Sequence, residues 1–131
     1  MIKKLILLSM SVIAIMLEAL PFGAVLNFAN PEGEPWRKTF SYFSLTPFGY
    51  ANFAPLLTAL STCILLILVI VSIFLKRSVK IPIFCVSILA TVLSLIPLCQ
   101  GINYFSIVGI FIFLALFSFT AVCFFAERQN K

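Results

Sequence analysis

The chain has no histidine and no aspartate anywhere in its 131 residues. Their absence removes Ser-His-Asp catalysis, histidine-based metal sites and any site built on paired aspartates. Carboxylates are scarce altogether: the four acidic residues are Glu18, Glu32, Glu34 and Glu127. General acid–base chemistry would have to rest on Glu18, or on Glu32 and Glu34, so no enzyme is expected. No metal site and no cofactor are implied, and the five glycines form no phosphate-binding loop. The cysteines Cys63, Cys85, Cys99 and Cys123 include no C-x-x-C pair, which removes the thiol-oxidase reading of a four-helix protein. They read as buried apolar thiols.

What the chain has in excess is apolar side chains, 63% of residues against 10% charged. They gather in four stretches, at about residues 5–22, 53–75, 81–99 and 105–126. Each is close to the roughly 17–25 residues with which an α-helix crosses a hydrocarbon core of about 30 Å. A water-soluble domain this small could not hide so much apolar surface. The connections at residues 76–80 and 100–104 are short, so neighbouring helices must run antiparallel. Pro55 and Pro82 fall where a helix tolerates proline in its first turn. Pro21 and Pro97 sit near the other ends of their stretches, where they kink or terminate a helix. The expectation is a single all-α membrane domain over residues 1–131, an up-down four-transmembrane-helix bundle with a long aromatic first external loop.

Charge gives this bundle an orientation. Lys3, Lys4, Lys76, Arg77, Lys80, Arg128 and Lys131 fall on one side, leaving only Arg37 and Lys38 of the nine basic residues on the other. The positive-inside bias then places both termini and the 76–80 turn in the cytoplasm, as for a multi-pass protein of the cell membrane. The net charge of +5 reads as a topology signal and a contact with anionic headgroups. Nucleic acid is not an expected partner, because the basic residues are split among three short segments. The start, "MIKK" and an apolar run, also resembles a secretory signal. Glu18, Leu20 and Phe22 interrupt any small-x-small cleavage site, so retention as a span is expected.

Residues 27–52 are too long for a turn and too aromatic for a solvated linker. Over residues 35–45 the spacing fits a helix lying flat at the outer interface. Trp36, Phe40 and Phe43 then share a face at i, i+4 and i+7, with Arg37 off it. A strand pair is the alternative, since "TFSYFSLT" is rich in residues that strands favour. The loop reads either as an aromatic belt that anchors the protein or as a lid or partner-docking surface.

The segment "FANPEGEPWRKTFSYFSLTPFGYANFAP", followed by a Thr/Ser-bearing span, resembles a segment of small four-span bacterial membrane proteins. The resemblance covers about a quarter of the chain. It implies a bacterial cytoplasmic membrane protein and brings no activity with it. The layout is also similar to claudin-type tetraspans, but their paired loop cysteines and Gly-Leu-Trp motif are missing, so only architecture is shared.

Glu18 lies well inside the first stretch. A carboxylate at that depth is expensive unless paired, protonated or wetted, which makes intramembrane acids functional candidates. Thr58, Ser61 and Thr62 of the second stretch and Ser94 of the third lie at comparable depth. With Glu18 they form a candidate polar site, lining a small cavity that opens outward. The alternative places Glu18 nearer the interface, hydrated or paired with Arg37 or Lys38. Ser87, Ala90, Thr91 and Ser94 also form one stripe whose small residues suit close helix packing. Two function classes follow. The first is a non-catalytic structural, assembly or sensing module. It would work through the aromatic loop (Trp36, Arg37, Phe40, Phe43) and the bundle faces, against lipid, another membrane protein or a parallel homo-oligomer. The second is a small proton- or cation-coupled transporter using Glu18, by analogy with small multidrug transporters. Those have short loops and weak Lys/Arg bias, unlike this chain.

Overall fold

The computed structural model describes residues 1–76 and 78–129. Arg77 and Lys131, counted above in the charge asymmetry, lie outside them. Helix α1 runs Ile2–Ala19 and turns Leu7, Ser11, Ala14 and Glu18 inward, at i, i+4, i+7 and i+11. It stops because Leu20 precedes Pro21: a residue before proline is driven to extended backbone, here φ −65° and ψ 137°.

The chain then forms an antiparallel hairpin. Strand β1 (Ala24–Phe28) pairs with β2 (Trp36–Phe40) in a register running from Ala24 opposite Phe40 to Phe28 opposite Trp36. Its connection holds Pro31, Gly33 and Pro35, and the Asn30 side-chain oxygen accepts from the Glu32 amide at 3.1 Å. A short helix α2 (Leu45–Gly49) follows, its first turn capped by the Ser44 hydroxyl accepting from Thr46 N.

Three longer helices complete the chain. Helix α3 is Ala54–Phe74, with Pro55 in its first turn; α4 is Lys80–Gln100, with Pro82 near its start. Helix α4 continues through Pro97 to Gly101, so this proline neither ends it nor leaves it in solvent. A 3-10 turn at Ile102–Tyr104 leads into α5 (Ile107–Arg128), whose N-cap Ser106 accepts from Gly109 N at 2.9 Å. Helices α1 and α4 each pack against both α3 and α5.

The packing is inverted relative to a soluble protein. Inside lie Ser11, Ala14, Thr58, Ala59, Thr62, Ser87, Ala90 and Ser94, with Leu65, Ile112, Leu116 and Phe119. Outside, Ile13, Ile67, Leu89 and Phe117 are each more than half exposed. Small and hydroxyl residues between helices with large aliphatic groups outward suit a lipid environment. The stripe of Ser87, Ala90, Thr91 and Ser94 takes part as a packing surface, and Thr91 Oγ1 lies 3.1 Å from Thr120 Oγ1 across the α4–α5 contact.

The expected bundle of four transmembrane helices is corrected by this structure. Three helices, α3, α4 and α5, are long and apolar enough to cross a membrane, as in a membrane-embedded protein. Helix α1 is not among them. Its 18 residues take in Lys3 and Lys4, expected to flank the span, and also Glu18, and the helix ends before Phe22. The aromatic loop is corrected too: residues 24–40 are a two-stranded sheet and 45–49 a short helix, with no helix over residues 35–45.

Candidate functional site

Two ends of the molecule differ in chemistry. The hairpin end gathers the C-terminus of α1, the sheet, α2 and the 3-10 turn. The basic end gathers the start of α1, the α3–α4 connection and the last turn of α5.

Glu18 sits on the inner face of α1 at the hairpin end and is fully buried. Thr62 Oγ1 donates to Glu18 Oε1 at 2.7 Å, and the same hydroxyl lies 2.9 Å from the Thr58 carbonyl of its own helix. One hydroxyl proton therefore serves two acceptors. Glu18 Oε2 has no hydrogen-bond partner among the described residues. Arg37 and Lys38 are exposed, so the expected surface pairing of Glu18 with either is not seen.

The five residues of the sequence-derived polar site are all buried, and among the described residues one side-chain hydrogen bond joins two of them, Thr62 to Glu18. Thr58 reaches the cluster only through its carbonyl; its hydroxyl donates to Ala54 O at 2.7 Å. The Ser61 and Ser94 hydroxyls donate to Leu57 O and Thr91 O within their own helices. None of the five lines either cavity described below.

The residue missed from sequence is Tyr42. It is the largest fully buried side chain, its amide donates to the Glu18 carbonyl at 2.9 Å, and its ring lies against Gly23. Burial first, and then the nearby Glu18 carboxylate, hold the Tyr42 phenol above its ordinary range, so it stays un-ionised. Nothing in the sequence separates Tyr42 from the other aromatics around it.

On its β1 side the hairpin is fastened to the α4–α5 connection. Ser106 Oγ donates to Gly23 O at 2.6 Å, Asn27 Nδ2 donates to Asn103 O at 3.3 Å, and Ala24 makes a further antiparallel bridge to Phe105. Strand β1 therefore lies between β2 and the α4–α5 connection. The far edge of β2 pairs with no other strand among the described residues. Trp36 is 70% exposed and Arg37 is exposed with it, whereas Phe40 and Phe43 pack against the core. The four residues expected on one interfacial face thus split into two exposed and two packed against the core. Beside the hairpin is a cleft of about 450 Å³ walled by Phe28, Tyr50 and Tyr104. Asn52, also in its lining, is buried, and neither side-chain amide atom has a partner among the described residues. No protein-family model matches the chain, and neither does any curated protein or solved structure.

Proposed function

We propose that the protein is a non-catalytic membrane module that docks a partner through the hairpin. The observation that carries this reading is the edge of β2 that pairs with no other strand among the described residues, with β1 fastened behind it. An open strand edge is a template for an incoming strand unless it is covered, and β-strand addition is a recurrent mode of peptide recognition. Arg37 and Lys38 lie on that strand with no acidic residue within it, so the occupant is an extended, carboxylate-bearing segment of another membrane protein. Trp36 supplies a large anchor of the kind that dominates binding energy at interfaces. The Lys/Arg asymmetry supports an orientation with the basic end in the cytoplasm and the hairpin outside.

Photocrosslinking in intact cells tests this. A crosslinker at Trp36 should give a discrete adduct that Arg37→Glu/Lys38→Glu abolishes, while one at the outward-facing Ile67 should not. An adduct at Trp36 that is indifferent to the charge reversal removes the docking reading.

A second reading, a small transporter coupled through Glu18, draws support from its buried carboxyl with one partner. It requires a water or ion route to that carboxyl, and neither cavity touches it. Ethidium extrusion from proteoliposomes that Glu18→Gln abolishes would favour it.

A further inference from the structure

At the basic end lies a second cavity, of about 710 Å³, within the range of about 300–1,000 Å³ of ligand sites. Lys3, Lys4, Lys76 and Lys80 line it, and Glu127 is the one carboxylate among the described lining residues. The formal excess is three positive charges. These lysines come from two segments far apart in the chain, the start of α1 and the α3–α4 connection, and the fold brings the two together.

Two of the four are already positioned. Lys4 Nζ donates to the Ser72 carbonyl and Lys3 Nζ to the Gln129 side-chain oxygen. Each ammonium keeps two further N–H donors. Lys76 and Lys80 have no hydrogen-bond or ion-pair partner among the described residues. The first turns of α1 and α4 also open on this cavity, and neither has a side-chain cap or an acidic residue. The C-termini of α3 and α5 meet them here, so the helix dipoles largely offset. The side-chain charge decides the sign, and it favours an anion.

The remaining wall decides what kind of anion. Leu7, Ile83 and Phe84 line the same space, an apolar surface with no use for a free phosphate ion. Next to Lys76 and Lys80 in the chain, Phe74, Leu75 and Ile81 are 68–80% exposed, as expected of side chains that enter the acyl region. A cavity lined by both ammonium groups and apolar side chains, at the end of helices long and apolar enough to cross a membrane, matches an amphiphile with an anionic head. We propose that this cavity binds an anionic phospholipid, its phosphate held by Lys3, Lys4, Lys76 and Lys80 and its chains laid along Leu7, Ile83 and Phe84. The proposal rests on the membrane-embedded fold and is independent of hairpin docking.

The test uses the full chain in an uncharged detergent, with melting temperature and native mass spectrometry as readouts. Phosphatidylglycerol should raise the melting temperature saturably and be retained as a bound adduct. Phosphatidylcholine and inorganic phosphate at the same concentration should do neither. The pair Lys76→Gln/Lys80→Gln, both exposed, should weaken phosphatidylglycerol binding by roughly tenfold or more, the order expected for two lysines at an anionic surface. Arg37→Gln/Lys38→Gln, an equal charge loss at the other end, should leave binding unchanged. Were the first pair to impair folding, Lys80→Gln alone should still lower the retained lipid. Equal stabilisation by phosphatidylcholine, or equal loss in both pairs, overturns the site. Stabilisation by inorganic phosphate to the same degree overturns the lipid as its occupant.

Discussion

Gly23 and Gly49 give a sharp test of how the hairpin is seated, because the same substitution should act with opposite sign. A Cβ at Gly23 would lie 2.8 Å from Tyr42 Cδ1 and 3.0 Å from Cε1, with Ile112 Cδ1 at 3.7 Å behind. Separations below about 3 Å are repulsive, and the ring is 1% exposed, so it has nowhere to move without displacing the core. Overpacking of this kind costs about 1–3 kcal/mol. Gly49 meets nothing within 4 Å and has no positive φ. There the alanine only restricts the unfolded chain and should stabilise by about 0.4–1 kcal/mol. Unfolding in mixed micelles of increasing SDS, followed by the fluorescence of Trp36, the single tryptophan, reads both. Tyr42→Leu closes the argument, since with the ring removed the added cost of Gly23→Ala should fall close to zero. The coupling energy should match the clash, about 1–3 kcal/mol. Should Gly23→Ala prove as benign as Gly49→Ala, or cost the same in the Tyr42→Leu background as beside the native ring, Tyr42 does not seat the hairpin against Gly23.

Other outcomes follow from single contacts. Thr62→Val removes the only hydrogen-bond donor to the Glu18 carboxyl among the described residues and should cost about 1–3 kcal/mol in the same titration. A silent substitution would mean that the two side chains do not meet. Ser106→Ala loses both the α5 cap and the bond to Gly23 O and should cost about 1–2 kcal/mol, more than Ser9→Ala, whose hydroxyl only returns to its own helix. For the proposed orientation, Glu34→Cys in a cysteine-free background should react with an impermeant maleimide on intact cells. Ser78→Cys should react only once the cytoplasm is opened, and the reverse pattern inverts the protein.

The apolar stretches at residues 53–75, 81–99 and 105–126 were legible because sustained hydrophobicity over twenty residues has few other solutions. They correspond to α3, α4 and α5 within three residues at each end. Pro21 was legible as a stop for the same kind of reason, a local steric rule. The first stretch misled because Lys3 and Lys4 read as flanking charges, whereas the helix takes them in and gives up Phe22. The hairpin was hidden by a coincidence of periods. Trp36 and Phe40 are four residues apart, so they share a face in a helix and in a strand alike. What chose the strand was distant: β1 supplies the pairing edge, and it is itself held by Phe105 and Asn103 from far along the chain. Within the polar site, Glu18 and Thr62 were found by depth alone. The Ser61, Thr62 and Ser94 hydroxyls all bond to a carbonyl of their own helix, and Thr62 alone of them also bonds to Glu18, a difference that hydropathy does not record.

Glu18 connects these observations. Its side chain is held by Thr62 of α3, its carbonyl by the Tyr42 amide, and the Tyr42 ring by its fit against Gly23 at the root of β1. One residue near the end of α1 thus touches the segments on both sides of the hairpin and the first half of α3. A coupling residue in a transporter must meet two compartments in turn, which calls for a cavity beside it and freedom to move. Neither of the two cavities above reaches Glu18, which is fully buried and bonded through both side chain and backbone. Burying a carboxyl with one hydrogen bond contributes little or nothing to stability, so its use in such a place is better understood as specifying an arrangement. Only the observed seating of α1 on α3 gives that carboxyl a hydroxyl, and the same seating places the Tyr42 amide at the α1 terminus. On this view the polar core and the hairpin share one seat: the buried acid and the Tyr42 amide hold the end of α1 against α3 and the segment after β2.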